Sequence, residues 1–201
     1  MPDAAPTTQP LDRSRVMTAR NAVFVIFALA GLVFASWASR IADTKEALGL
    51  SAGELGTTLF AASVGSVTGL PLAGRISQRI GATRAVALGT AVALSGLLVV
   101  GAVVDAGGSR LALAAGLFLV GLGVGVWDVS MNLEGADVER GLGTAVMPHF
   151  HAAFSGGTVG SALIGAGMSW AGVPLTIHFI GAAAVTVLLS WWALPKFLPH
   201  T

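Results

Sequence analysis

The sequence has no cysteine, so neither a disulfide framework nor a thiolate metal site can be built from it, and the redox compartment is left open. Charge is scarce as well: Asp, Glu, Lys and Arg make up 10% of 201 residues, against about 25% in soluble globular domains. So little charge cannot coat a water-soluble globule. The 11 basic and 10 acidic side chains leave a net charge of +1, without the dense basic patch of a nucleic-acid-binding chain, so no nucleic-acid partner is expected. What abounds is apolar: 54% of residues are hydrophobic, and mean hydropathy is +0.80.

A helix needs roughly 20 mostly apolar residues to cross a bilayer, so the chain has room for about six spans, short loops and no separate soluble domain. Residues 1–20, ending in Leu11-Asp12-Arg13-Ser14-Arg15 and Arg20, are polar and read as a tail. They do not read as a cleaved signal, because the apolar stretch that follows is of full span length and lacks a convincing cleavage site. Uncharged runs then extend from Asn21 to Ser39, Leu55 to Gly74, Ala85 to Val104 and Leu111 to Trp127. Between Arg140 and Lys196 no charged residue occurs, and that stretch breaks at Trp170-Ala171-Gly172-Val173-Pro174 into a fifth and a sixth span. The expected fold is an all-α integral membrane protein, a six-helix bundle over residues 21–195 with a short tail at 196–201. The bilayer is its surroundings.

With six spans, Arg13, Arg15, Arg20, Arg75, Arg79, Arg84, Arg140 and Lys196 share one side, and Arg40, Lys45 and Arg110 lie opposite. Cytoplasmic loops carry the Lys/Arg excess, so both termini and the loops after spans two and four are expected in the cytoplasm. The loop after span four is acidic (Glu134, Asp137, Glu139), but acids count little in that rule. Gly65 and Gly69 in span two, Gly121, Gly123 and Gly125 in span four, and Gly156, Gly160 and Gly165 in span five are spaced to let helices approach closely. An echo between Ala35-Ser36-Trp37-Ala38-Ser39-Arg40 and Val126-Trp127-Asp128-Val129-Ser130 hints at a three-plus-three inverted repeat, as found in transporters.

Asp128 is the most informative residue. A carboxylate near mid-helix costs about 2.5 to 3.5 kcal/mol to insert, so something must compensate it. Asn132, four residues on, shares its helix face and would point with it into the bundle or a wet cavity. The plainer reading is that Asp128 snorkels to the interface. Arg40, after Ser39, is either an interfacial anchor or an inward partner for Asp128 or for an anionic solute group. In span five, His151 and Ser155 form a polar stripe at four-residue spacing, whereas His149 faces another direction and meets water or headgroups. His149-x-His151 has no thiolate and only a distant carboxylate as companions, so neither a metal nor a cofactor is expected. His178 reads as a satisfied structural histidine. An enzyme alternative, an intramembrane serine protease using Ser155 and His178, fails on Ala153, where a glycine is required, and on helix order.

The loop after span two, Gly74-Arg75-Ile76-Ser77-Gln78-Arg79-Ile80-Gly81-Ala82-Thr83-Arg84, resembles the signature loop of the major facilitator superfamily, with Gln78 where that family usually has Asp. A second stretch runs Gly123-Val124-Gly125-Val126-Trp127-Asp128-Val129-Ser130-Met131-Asn132, then Val138-Glu139-Arg140 and Met147-Pro148-His149-Phe150-His151. Together with Ala35-Ser36-Trp37 and Arg40-Ile41, it resembles the amino-terminal half of the fucose-permease-like bacterial branch and of uncharacterised inner-membrane transporters. The resemblance implies a transporter of the inner membrane rather than an enzyme. It implies that Asp128 stands for a span-four acid tied to substrate and proton coupling, that His151 is at a cavity position, and that Arg40 stands where the sugar permease has an acid. The last departure argues against fucose, and Gly160-Ser161 replaces the proline of the drug-antiporter signature.

Arg75, Arg79 and Arg84 could latch onto Glu139 or Asp137 to close the cytoplasmic side. Each exposed pair is worth about 0 to 1 kcal/mol, which suits a reversible gate. Orienting the chain by positive charge is the simpler role. Members of the superfamily normally enclose a solute path between two six-span halves. One half leaves Asp128, Asn132 and His151 without a facing wall, so a homodimer or a separate second half is expected as partner, with a small polar solute as cargo. An inactive half-length remnant is the alternative.

Overall fold

The computed structural model describes residues 12–199. Among these it contains no strand. Seven α-helices follow in order: α1 (Arg13–Ala38), α2 (Ile41–Ala47), α3 (Ala52–Ile80), α4 (Ala82–Asp105), α5 (Arg110–Leu142), α6 (Met147–Trp170) and α7 (Leu175–Ala193), then a 3-10 turn over Leu194–Lys196. Six are long, and α2 is a short connector. The starts carry the side-chain acceptors that orphan amides need: Asp12 accepts from the Ser14 amide, Ser51 and Glu54 form a capping box, and Ser109 accepts from the Ala112 amide. Gly81 turns α3 into α4 at φ +82°, and Gly172 separates α6 from α7 at φ +64°, conformations that an L side chain resists.

The break after Trp170 is where the residues indicated, and each uncharged run lies within one helix apart from Ser39, which caps the end of α1. The helices outrun the apolar stretches, however. α1 begins at Arg13, before the apolar run, and α2 forms where a plain loop is expected. The acidic "loop" after span four is a continuation of α5, which runs unbroken through Asp128, Glu134, Asp137 and Glu139 to Leu142. Five of the six long helices are long and apolar enough to cross a membrane. The exception is α6, diluted by His149, His151, Ser155 and its glycines.

α5 is the axis of the bundle, packing along α3 on one side and α4 on another, while α1 packs along α6. The closest approaches are through glycine. A Cβ on Gly121 would lie 1.9 Å from the Ala62 carbonyl oxygen of α3, and one on Gly123 would lie 2.2 Å from the Ala93 nitrogen of α4. Gly31 and Gly157 do the same between α1 and α6, against Phe154 and Ala28. Of the expected span-five glycines only Gly165 is tightly approached; Gly156 and Gly160 face open space.

The pairing follows a three-plus-three repeat. Taking α1, α3 and α4 as one repeat and α5, α6 and α7 as the other, α1 leans on α6 and, reciprocally, α5 leans on α3. Each of these pairs carries a buried serine bridge: Ser36 to Ser161 at 2.9 Å, and Ser77 to Ser130 at 3.0 Å. Trp37 and Trp127, the anchors of the sequence echo, are both buried.

Candidate solute site

Asp128 lies on α5 beside side chains of α1 and α6, and its side chain is exposed while Trp127 next to it is buried. The Asn132 amide donates to the Asp128 carbonyl at 2.8 Å and to its carboxylate at 3.4 Å. Among the described residues no cation forms an ion pair with this carboxylate. A recess of about 110 Å³ adjoins it, walled by Ala30 and Phe34 of α1, Val124, Trp127 and Met131 of α5, and Phe154 of α6.

His151 of α6 is a near neighbour of Asp128. Its ring meets Phe27 edge-on at 5.3 Å, and Ser155 donates its hydroxyl to the His151 carbonyl at 3.0 Å. The structure therefore brings Asp128, Asn132 and His151 to one open face, backed by a row of α1–α6 aromatic contacts from Phe24–Phe150 to Phe34–Phe154. That face continues into a larger recess of about 390 Å³ lined by Arg20, Asn21, Phe24, Val146, His149 and Phe150. Sequence reading gave His149 to water or headgroups and passed over Asn21. The signal that could have found them is their spacing: Asn21, Phe24 and Ala28 follow one side of α1, the side that α6 flanks.

Arg40 is not part of this face. It is 2% exposed just beyond the end of α1, about 9 to 15 Å along the axis from Phe34 and Ala30, which wall the Asp128 recess, at a rise of 1.5 Å per residue. It ion-pairs with Asp43, donates to the Val173 carbonyl at 2.6 Å, and its charge reaches Asp105 and His178. Asp43 also accepts from Ser169 at 2.7 Å, and Asp105 caps the start of α7 through the Leu175 and Thr176 amides. The inward-partner reading for Asp128 fails because these neighbours hold the guanidinium at the α2 end. The serine-protease pair fails too: Ser155 bonds within its own helix, while His178 packs beside Gly165, nearer the α2 end. Nor is His178 a satisfied histidine, since its buried Nδ1 has no partner among the described residues.

At the opposite end, Arg75, Gln78, Arg79 and Arg84 are exposed, Gly74 meets open space and Gly81 makes the turn. None of these arginines is paired among the described residues. Glu139 instead accepts the Val146 and Met147 amides at 2.7 and 2.9 Å, capping α6, and Asp137 pairs with Arg140. The latch is thus unformed here, because its acids are engaged locally. Glu134, expected in a loop, is 3% exposed and accepts the Leu198 amide at 2.6 Å. Phe197 and Leu198 are buried, so this part of the expected polar tail folds back onto the bundle; His200 and Thr201, like residues 1–11, lie outside the described residues.

Together, the swapped helix pairs and the bilayer-length helices define a multi-pass membrane protein built from two interleaved sets of three long helices. The comparisons agree. No family model matches the chain. It is 32% identical over 165 residues to an uncharacterised MFS-type transporter of Yersinia pestis, covering 81% of this chain and 42% of the relative. It is 31% identical over 185 residues to the uncharacterised transporter y4wD of Sinorhizobium fredii, covering 88% and 48%. It is 28% identical to the membrane protein MosC of Rhizobium meliloti, covering 90% and 42%. The crystal structure of the nucleoside transporter NupG superposes with a TM-score of 0.74 at 14% identity, covering 91% of this chain and 44% of NupG. The chain therefore spans less than half the length of the curated relatives it matches. In sequence and in fold it is a six-helix half of the major facilitator type.

Proposed function

We propose that the chain forms one half of an alternating-access transporter for a small polar solute, coupled to protons, in the inner membrane with both termini cytoplasmic. The observation that carries this reading is Asp128: a carboxylate on the open face of a membrane helix, without an ion-pair partner, beside Asn132 and within reach of the His151 imidazole. Intramembrane acids are costly and mark solute or proton paths. The carboxylate and amide bind solute hydroxyls and Asp128 exchanges the proton with His151, while a second copy or a separate six-helix half closes the face. Arg75, Arg79 and Arg84 engage Asp137 and Glu139 when the cytoplasmic side shuts, and Arg40 holds the far end of α1.

The test is reconstitution into liposomes loaded with a pH-sensitive dye, followed by challenge with hexoses, polyols and nucleosides. A transported solute is expected to acidify the lumen, and Asp128→Asn to abolish that signal while leaving the melting temperature unchanged. Solute uptake that stays fully pH-coupled in Asp128→Asn overturns the assignment of Asp128. Native mass spectrometry from lipid-like detergent is expected to find a dimer or a second six-helix chain; a lone monomer inert to every solute favours the remnant.

A further inference from the structure

A crevice of about 210 Å³ lies between α1, α6 and α7, apart from the Asp128 face. Its walls are Leu32, Ile164, Met168, Ile177, Ala182 and Val185; its polar floor is the Ser36–Ser161 bridge and His178. Three features point to an occupant. The rim residues Ile164, Ile177 and Val185 are 54%, 59% and 43% exposed, on a surface that faces outward from the bundle. The crevice runs with the helix axis, since Ile177 to Val185 is about 12 Å at 1.5 Å per residue. And His178, 4% exposed, brings an unsatisfied imidazole to it. Among the described residues neither ring nitrogen has a hydrogen-bond partner; Nδ1 is fully buried whereas Nε2 is not shut in, so Nε2 is the nitrogen the crevice can reach.

Size and depth narrow the chemistry. Pockets for drug-sized ligands run from roughly 300 Å³ upward, so this one suits a single narrow chain. The 19 residues of α7 span about 28 Å, close to the hydrocarbon thickness of a bilayer, and His178 lies about 5 Å in from the Leu175 end. There the acyl region of a phospholipid gives way to its glycerol esters. We propose that this crevice seats one acyl chain of a bilayer phospholipid in the leaflet at the α2 end, its ester carbonyl accepting a hydrogen bond from His178 Nε2. The lipid fills the slot along α6 and α7 and gives His178 Nε2 an acceptor. This site needs only a chain embedded in a bilayer, so it stands apart from the transport reading.

The test uses the full chain in nanodiscs doped with a phosphatidylcholine carrying a diazirine on its acyl chain, with irradiation and peptide mapping. Adducts are expected to concentrate on Ile164, Met168, Ile177 and Val185. Gly181→Leu projects into the crevice from a position with open space, and is expected to lower those adducts to background. Val185→Trp fills the slot from its rim and serves if the glycine variant fails to fold. His178→Leu keeps the wall apolar and is expected to lower labelling about fivefold, the worth of one hydrogen bond; His178→Gln restores a donor and labelling with it. Adducts spread evenly over Leu188 and Trp191, or undiminished by either filling variant, overturn the proposal. Filling variants that act while His178→Leu does not overturn the ester contact.

Discussion

α5 and α6 are both glycine-rich helices, yet they use glycine in opposite ways. On α5, Gly121 and Gly125 admit α3, and Gly116 and Gly123 admit α4, so two faces are locked backbone to backbone. On α6, Gly157 and Gly165 admit α1 and its end, while Gly156 and Gly160 face nothing. The burial of whole helices differs in the same way. More than half of the apolar window of α1 is buried, but only 17% of that of α3, whose buried residues are Thr58, Gly65, Gly69, Ala73 and Ser77. The finished seams are inside this chain, and the unfinished surfaces lie on α3 and α6, where a second half would press in the proposed assembly.

The largest expected effect breaks a finished seam. Gly121→Val drives a side chain into the Ala62 carbonyl, and because backbone cannot swing aside, α3 and α5 must part. No folded, monodisperse protein is expected on size exclusion. Next comes Arg40→Met, which strands Asp43 in a largely buried network. Breaking such a pair costs about 3 kcal/mol, to be read as a fall in thermal midpoint that Asp43→Asn in the same chain partly restores. Smaller again is Glu134→Ala, which leaves the Leu198 amide buried without its acceptor at about 1–3 kcal/mol. Hydrogen exchange at Phe197 and Leu198 is expected to quicken while α1–α6 protection holds. At the bottom is Gly160→Ala, on the unfinished side: the melting temperature of the isolated chain is expected to stay put. A drop comparable to that of Gly121→Val would mean that the two glycine sets do the same job.

Much of this architecture is legible in the residues because charge is costly in a bilayer: runs without Lys, Arg, Asp or Glu mark the six long helices, and Gly172 with Pro174 marks the break. What hydropathy cannot mark is where a helix ends, because backbone hydrogen bonding continues through polar residues. α5 therefore runs through Glu134, Asp137 and Glu139 as helix. The pairing of Asp128 with Asn132 follows from four-residue spacing, and His151 joins them once the α1–α6 contact exists. The engagement of Arg40 by Asp43 and Val173, of Glu139 by the start of α6 and of Glu134 by Leu198 depends on loops and on segments distant in sequence, which no periodicity encodes. Nor does spacing tell Gly157 from Gly156, since adjacent helical residues point about 100° apart and only the neighbour decides which is used.

The exchange of partners between the two repeats bears on how the chain is made. A helix leaving the ribosome first would ordinarily pack against the next one made, but α3 and α4 touch little, and α1 finds its main neighbour only when α6 arrives. Through most of synthesis Phe27 and the Gly31 notch of α1 face lipid or an insertion factor instead of α6. Contacts so distant in sequence close slowly. The first helix to enter the membrane is thus among the last to meet its main neighbour, and a chain arrested before α6 emerges would hold α3, α4 and α5 assembled and α1 with only its lesser contact to α5.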